Sequence, residues 1–206
     1  MLMKWNAYFR NIFVTLLLAL AACSAPPSLP RLASDAVILA FGDSLTYGTG
    51  ADGAQSYPSV LAALTARRVV NAGVPGEVSG EGLARLPGLL DEHRPQLLIL
   101  MHGGNDLLRK GSPDELARNL RAMVDTSRAR GIAVVLVGVP APGLLLDVPE
   151  LYPRLAKEYR LPYDGETLRA IEGDRALKSD PIHPNAEGYR RLAQRLYDKL
   201  REAGAL

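Results

Sequence analysis

The chain has 206 residues, 48% apolar and 22% charged, the length and balance of a single globular domain. Its formal charge is +2, and Lys4 and Arg10, the charged residues of the first 22 positions, account for all of it. The remainder is neutral overall, so neither a basic nucleic-acid face nor an acidic tail is indicated, and the single cysteine, Cys23, excludes an internal disulfide.

Residues 1–22 read as an address rather than as part of a fold. Lys4 and Arg10 make a positive start, and Ile12 to Ala22 form an apolar run of 11 residues, too short to span a bilayer. Trp5, the one tryptophan, therefore falls outside the expected core. Leu20-Ala21-Ala22-Cys23 resembles the end of a bacterial lipoprotein signal. The resemblance implies cleavage before Cys23, lipidation of Cys23, and a membrane anchor of acyl chains instead of a spanning helix. Ser24 after the cysteine implies an outer-membrane lipoprotein facing the periplasm. The alternative is a plain secretory signal with an incidental cysteine, giving a secreted or periplasmic protein. Residues 23–35, which include Pro26, Pro27 and Pro30, read as a tether. Residues 36–206 read as the folded domain.

Val37 to Phe41 is a continuous apolar run ended by Gly42, the pattern of a strand buried on both faces. Asp43-Ser44-Leu45 follows, and a helix beginning there would aim backbone N–H groups at an anion beside the serine oxygen. Tyr57 to Ala66 has helical spacing, with Pro58 in its first turn. Arg68 to Ala72 is a second strand, closed by Gly73-Val74-Pro75-Gly76. Leu83, Leu86, Leu89 and Leu90 mark a helix that Pro87 is expected to bend. Gln96 to Met101 is a third strand, stopping at His102-Gly103-Gly104-Asn105-Asp106. Ser112-Pro113-Asp114-Glu115 opens a helix with a capping serine, a first-position proline and acids in the first turn. Leu116, Leu120, Met123 and Val124 are its buried stripe. Ile132 to Val139 is a fourth strand, Val148 to Tyr159 a helix, and Leu161 to Asp164 a weak fifth strand. Ala186 to Leu200 is an amphipathic closing helix. Such alternation predicts a parallel sheet with right-handed crossovers. The expected fold is α/β: a three-layer α/β/α sandwich with a flavodoxin-like parallel sheet of about five strands.

Ser44 then sits at the carboxyl edge of the sheet, where open α/β folds bind ligands. A serine hydroxyl is a poor nucleophile until a base takes its proton, and the chain has three histidines. His93 lies among charged residues at a helix end. His102 is at a strand end and can line the pocket, but its sequence neighbours offer no orienting carboxylate. His183 has Asp180 three residues before it on a proline-stiffened loop, so one ring nitrogen can face the carboxylate and the other Ser44. The plain alternative is that Asp180 and His183 cap the closing helix and Ser44 caps the first. A developing oxyanion needs N–H donors. The backbone of Ser44, the backbone of Gly76 and the side chain of Asn105 can supply them. Gly73 is the second choice to Gly76.

These blocks resemble, in order, the SGNH or Gly-Asp-Ser-Leu hydrolase family, nearest to its periplasmic multifunctional thioesterase/arylesterase/lysophospholipase subgroup. They are Gly42-Asp43-Ser44-Leu45, Gly76, Gly103-Gly104-Asn105-Asp106 and Asp180-x-x-His183. Gly82 to Pro87 and Tyr152 to Glu158 fit the subgroup too. The resemblance runs from about Val37 to the last helix. It implies a catalytic Ser44, His183 and Asp180, an oxyanion hole of Ser44, Gly76 and Asn105, and no metal or organic cofactor. Leu107 stands where the subgroup often has glycine. Leu144, Leu145 and Leu146 fall in the region that covers the acyl group in the subgroup, so Leu107 and these three are candidate substrate-binding residues; packing beneath the loop is the alternative. The expected reaction is hydrolysis of carboxylic esters, and of thioesters, through an acyl-Ser44 intermediate. Two other readings stay open: a carbohydrate O-acetylesterase acting on envelope polysaccharide, and a non-catalytic envelope lipoprotein. The expected partners are a small acyl or aryl ester and, through the anchor, a membrane, but no nucleic acid; a monomer is expected.

Overall fold

The computed structural model describes residues 26–143 and 146–206. The signal at 1–22, Cys23, Leu144 and Leu145 lie outside the described residues.

Five strands form one parallel sheet: β1 (Val37–Gly42), β2 (Arg68–Gly73), β3 (Leu97–Met101), β4 (Ala133–Val137) and β5 (Tyr163–Asp164), in the order β2-β1-β3-β4-β5. The apolar runs sit at the centre, as a sheet covered on both faces requires. β3 is wholly buried, and β1 and β4 are buried after their first residue. β2 and β5 are the edges, and β5 pairs only two residues with β4, Tyr163 with Leu136 and Asp164 with Val137.

The helices are α1 (Ser44–Tyr47), α2 (Tyr57–Thr65), α3 (Ser79–His93), α4 (Gly104–Leu108), α5 (Pro113–Arg128), α6 (Leu151–Tyr159), α7 (Thr167–Gly173) and α8 (Ala186–Glu202). Right-handed crossovers put α2 on one face and α3, α5 and α6 on the other, because the strand order reverses at β1. The packing agrees: α2 lies on α8, α3 on α5, and α5 on α6. Ser112 caps α5 by accepting from the Glu115 N–H. Tyr189, Leu192, Leu196 and Leu200 of α8 are fully buried in register. Truncating one such leucine to alanine typically costs about 2–5 kcal/mol. Helix α3 continues through Pro87 without interruption. The short helices α4 and α7 had no periodic sequence signal.

The expected tether at 23–35 needs correction. Leu29 N–H donates to the Ala203 carbonyl and Leu32 N–H to the Ala205 carbonyl, both at 2.8 Å. Arg67 donates to the Leu32 and Ala33 carbonyls at 3.0 Å. Leu32 is buried in the core. The chain is therefore laid onto the domain from Leu29, because its two leucines find apolar cover beside the C-terminal residues.

Gly42 ends β1 because nothing larger fits. A Cβ there would lie 1.9 Å from the Met101 carbonyl oxygen and 2.4 Å from Thr46 Oγ1. Gly42→Ala is expected to cost about 3 kcal/mol, the upper range for overpacking. That lowers Tm by about 6–12 °C for a chain of this size. An unchanged melting curve would refute the constraint.

Candidate active site

Asp43, Ser44, Gly76, Gly104, Asn105 and His183 line one cleft of about 540 Å³ at the carboxyl edge of the sheet. Each comes from a turn that follows a strand or, for His183, from the loop before α8. Ser44 is the first residue of α1 and is half-buried. Asp43 caps that helix, its Oδ1 accepting from the Leu45 N–H at 3.1 Å. Its Oδ2 lies against the Gly104 backbone, outside hydrogen-bond geometry with any described residue. Burial raises the Asp43 carboxyl, against the lowering by His102, by the Leu45 and Gly104 N–H groups and by His183.

Ser44 Oγ and His183 Nε2 are 3.0 Å apart, and His183 Nδ1 and Asp180 Oδ2 are 2.7 Å apart. The tautomer that satisfies both has Nδ1–H donating to Asp180 and Nε2 accepting from the Ser44 hydroxyl. Asp180 Oδ1 accepts from the Ile182 and His183 backbone N–H groups, each at 2.8 Å. Burial alone would raise the Asp180 carboxyl. The backbone N–H of His183, its imidazole and the Ile182 N–H outweigh burial and hold the group at about 2. Asp180 thus stays ionised and fixes the ring. The capping alternative fails, since Asn185 caps α8 by accepting from the Gly188 N–H at 3.1 Å.

Gly76 has φ +81° and open space beside it. Its carbonyl accepts from Arg109 at 2.8 Å. Asn105 donates one amide hydrogen to the Glu77 carbonyl at 3.0 Å, which leaves its second for the cleft. Gly73, the second choice, does not line the cleft. A Cβ on it would lie 2.1 Å from the Tyr47 nitrogen, so its place is a close approach between β2 and α1.

Two further expectations are corrected. Leu107 faces the core, and its neighbour Leu108, 41% exposed, lines the cleft. On a helix adjacent side chains point to different faces, and the α4 turn was not visible in the sequence. Leu146 does line the cleft. His102 is fully buried and does not. Its Nε2–H donates to Glu77 Oε2 at 3.0 Å, so its carboxylate partner comes from another strand end. His93 ends α3, as expected.

Buried Glu77 and His102 and the part-buried Arg85 form a cluster that sequence spacing did not disclose. Arg85 Nε donates to Glu77 Oε1 at 2.5 Å, and Nη2 donates to Glu77 Oε2 at 2.6 Å, to the Ala72 carbonyl at 2.9 Å and to the Gly42 carbonyl at 3.2 Å. The guanidinium also stacks 4.3 Å over the Phe41 ring. Gly82 leaves room for the imidazole, since a Cβ there would meet His102 Nε2 at 2.4 Å. Among the described residues, no group of His, Cys, Asp or Glu is placed to hold a metal ion.

Residues 40–191 match the GDSL-like lipase/acylhydrolase family. The esterase TesA of Pseudomonas aeruginosa is 32% identical over 197 residues, covering 89% of this chain and 97% of TesA. An Escherichia coli K12 protein named thioesterase 1/protease 1/lysophospholipase L1 is 31% identical over 165 residues, covering 76% of this chain and 79% of its own. A crystal structure of TesA superposes with a TM-score of 0.74 at 32% identity, covering 81% of this chain and 99% of that one. The sheet order and the family match together define the class as ester hydrolases of α/β/α fold. The chain belongs to the GDSL-like lipase/acylhydrolase family.

Burial would raise Glu77, but the hydrogen bonds from His102 and Arg85 and the Arg85 charge hold it below its ordinary 4.5. A depressed carboxylate contributes stability above its unfolded value, and that contribution is lost as pH falls through the lower folded value. Glu77→Gln removes the countercharge of Arg85 and is expected to cost about 3 kcal/mol in urea unfolding near neutral pH. The difference from wild type narrows as pH drops below 4.5. A difference constant across that range would refute it.

Proposed function

We propose that this chain hydrolyses carboxylic esters, and thioesters, through an acyl-Ser44 intermediate. The observation that carries the reading is the continuous relay from Asp180 through His183 to the Ser44 hydroxyl, at 2.7 Å and 3.0 Å.

Ser44 Oγ attacks the carbonyl carbon while its proton passes to His183 Nε2. The ionised Asp180 stabilises the imidazolium that forms. The carbonyl oxygen becomes an oxyanion, and the Ser44 N–H, the Gly76 N–H and the free Asn105 amide hydrogen are the donors assigned to it in this reading. Collapse breaks the carbon–oxygen or carbon–sulfur bond, and the leaving alkoxide or thiolate takes the proton from His183. Water then gives a proton to His183 as it attacks the acyl-enzyme. The second collapse releases the carboxylic acid, and the proton returns to Ser44.

The cleft wall favours esters with an apolar acyl or aryl part over an acetylated glycan. Pro75, Leu108, Val139, Pro142, Leu146 and Ile182 line it. Burying such a group gains roughly 25 cal/mol per Å² of apolar surface. The esterase and thioesterase names of the relatives support the same class.

Ser44→Ala and His183→Ala are each expected to lower kcat on aryl esters and acyl thioesters by at least about 10³-fold. Asn105→Ala is expected to lower it by about 10²–10³-fold, with KM little changed. A fluorophosphonate probe is expected to label Ser44. Full labelling and turnover in Ser44→Ala would refute the reading.

The membrane-anchored reading of residues 1–23 stands beside this as a separate proposal. Among the described residues no helix is long and apolar enough to cross a membrane. Mass spectrometry of the envelope-purified protein is expected to find an acylated N-terminal Cys23. An unacylated N-terminus near Ala25 would point to the secretory alternative.

A further inference from the structure

The cleft holds an acidic side chain that the proposed reaction does not use. Glu172, near the end of α7, lines the cleft with Ser44 and His183 and is 6% exposed. Leu108, Val139, Pro142 and Leu146 line the same cleft. Among the described residues no hydrogen bond reaches its carboxyl group, and its electrostatic neighbours act at longer range. The charged and titratable groups coupled to it are Asp43 from the turn after β1, Lys178 from the loop before α8, and Tyr189 from α8, and His183 lines the same cleft. A buried carboxyl without a partner is costly, and more so ionised than neutral. A structural use would give it a donor; here the residue lines the cleft instead.

We propose that Glu172 is a specificity-determining residue, whose carboxyl group limits how far an apolar acyl chain can displace water from the cleft wall. The proposal rests on the ester-hydrolase reading of Ser44. A neutral carboxylic acid can lie beside hydrocarbon at modest cost, whereas a carboxylate must keep its water. Long apolar chains are therefore accepted when Glu172 is protonated and resisted when it is ionised, while a short acyl group reaches Ser44 without touching this wall. Burial pushes the Glu172 carboxyl up to about 7, with Lys178 pulling it down and Asp43 pushing it further up, so both forms are populated near neutrality.

The test is the ratio of kcat/KM for para-nitrophenyl octanoate to that for para-nitrophenyl acetate. Ionisations within the Ser44–His183 relay affect both esters alike and cancel in the ratio. In the wild type the ratio is expected to fall about three- to tenfold between about pH 6 and pH 8. Glu172→Gln, uncharged and of the same shape, is expected to flatten it. Glu172→Leu is expected to hold it at or above the low-pH wild-type value throughout. A flat wild-type ratio, or a ratio in Glu172→Gln that still falls as in the wild type, would overturn the proposal. Absence of Ser44-dependent turnover of either ester would instead overturn the hydrolase reading, and the specificity role with it.

Discussion

The Arg85 guanidinium reaches from α3 to the carbonyls that end β1 and β2, at 3.2 Å and 2.9 Å, and to both oxygens of Glu77. Through Glu77 it also holds the imidazole of His102, which follows β3. One cation therefore ties three strand ends and the loop that carries Gly76. The Glu77 backbone adds a further link, because its carbonyl accepts from Asn105. A buried ion pair contributes little net stability over an apolar isostere. What it contributes here is position: Gly76 and Asn105, the donors proposed for the oxyanion, are fastened to the same knot. A donor displaced by a fraction of an ångström loses much of its effect on a transition state.

Strand direction decides what that knot holds in place. All five strands run the same way, so their C-terminal turns gather on one edge. Ser44 leaves β1, Gly76 follows β2, and Asn105 follows β3. His183 arrives from the other end of the domain on a loop of its own. That loop is stiffened by Pro181 and Pro184, by two N–H bonds to Asp180 Oδ1, and by an antiparallel bridge between Lys178 and Pro184. Asn185 anchors its far end to α8. The imidazole thus has little freedom to leave Ser44, and the entropy of bringing the two groups together is met during folding.

The cleft combines opposite demands. Its walls are apolar, which suits acyl and aryl groups. Its lining also includes Asp43 and Glu172, two carboxyl groups raised by burial. Asp43 has a clear task as the cap of α1, which orients Ser44. Glu172 has no such structural task, and it comes from α7, an element that left no periodic trace in the sequence.

Particular residues show how far the sequence could be read. The run Val37 to Phe41, unbroken by polar residues and closed by a glycine, suited a strand covered on both faces. Glycine at 42 and the 180–183 spacing were local signals, and local geometry honoured both. The tether was misjudged because two leucines among prolines carry no period, yet Leu32 is in the core. Leu107 was chosen where Leu108 lines the cleft because a helix of five residues has too few turns to show a face. His102 looked unpartnered because its carboxylate lies 25 positions away in the chain.

The sequence by itself determined the alternation of strands and helices, and with it the parallel sheet, since apolar periodicity and backbone restriction act over a few residues. It also determined which residues could do acyl chemistry, because few residue types can act as nucleophile, base or donor. Tertiary structure decided which side chains meet: the pairing of Glu77 with Arg85 and His102, the turn of Leu108 toward the cleft, and the placing of Glu172 in its wall. Those contacts join residues far apart in the chain, and only the packing of the sheet and its helices sets their distances.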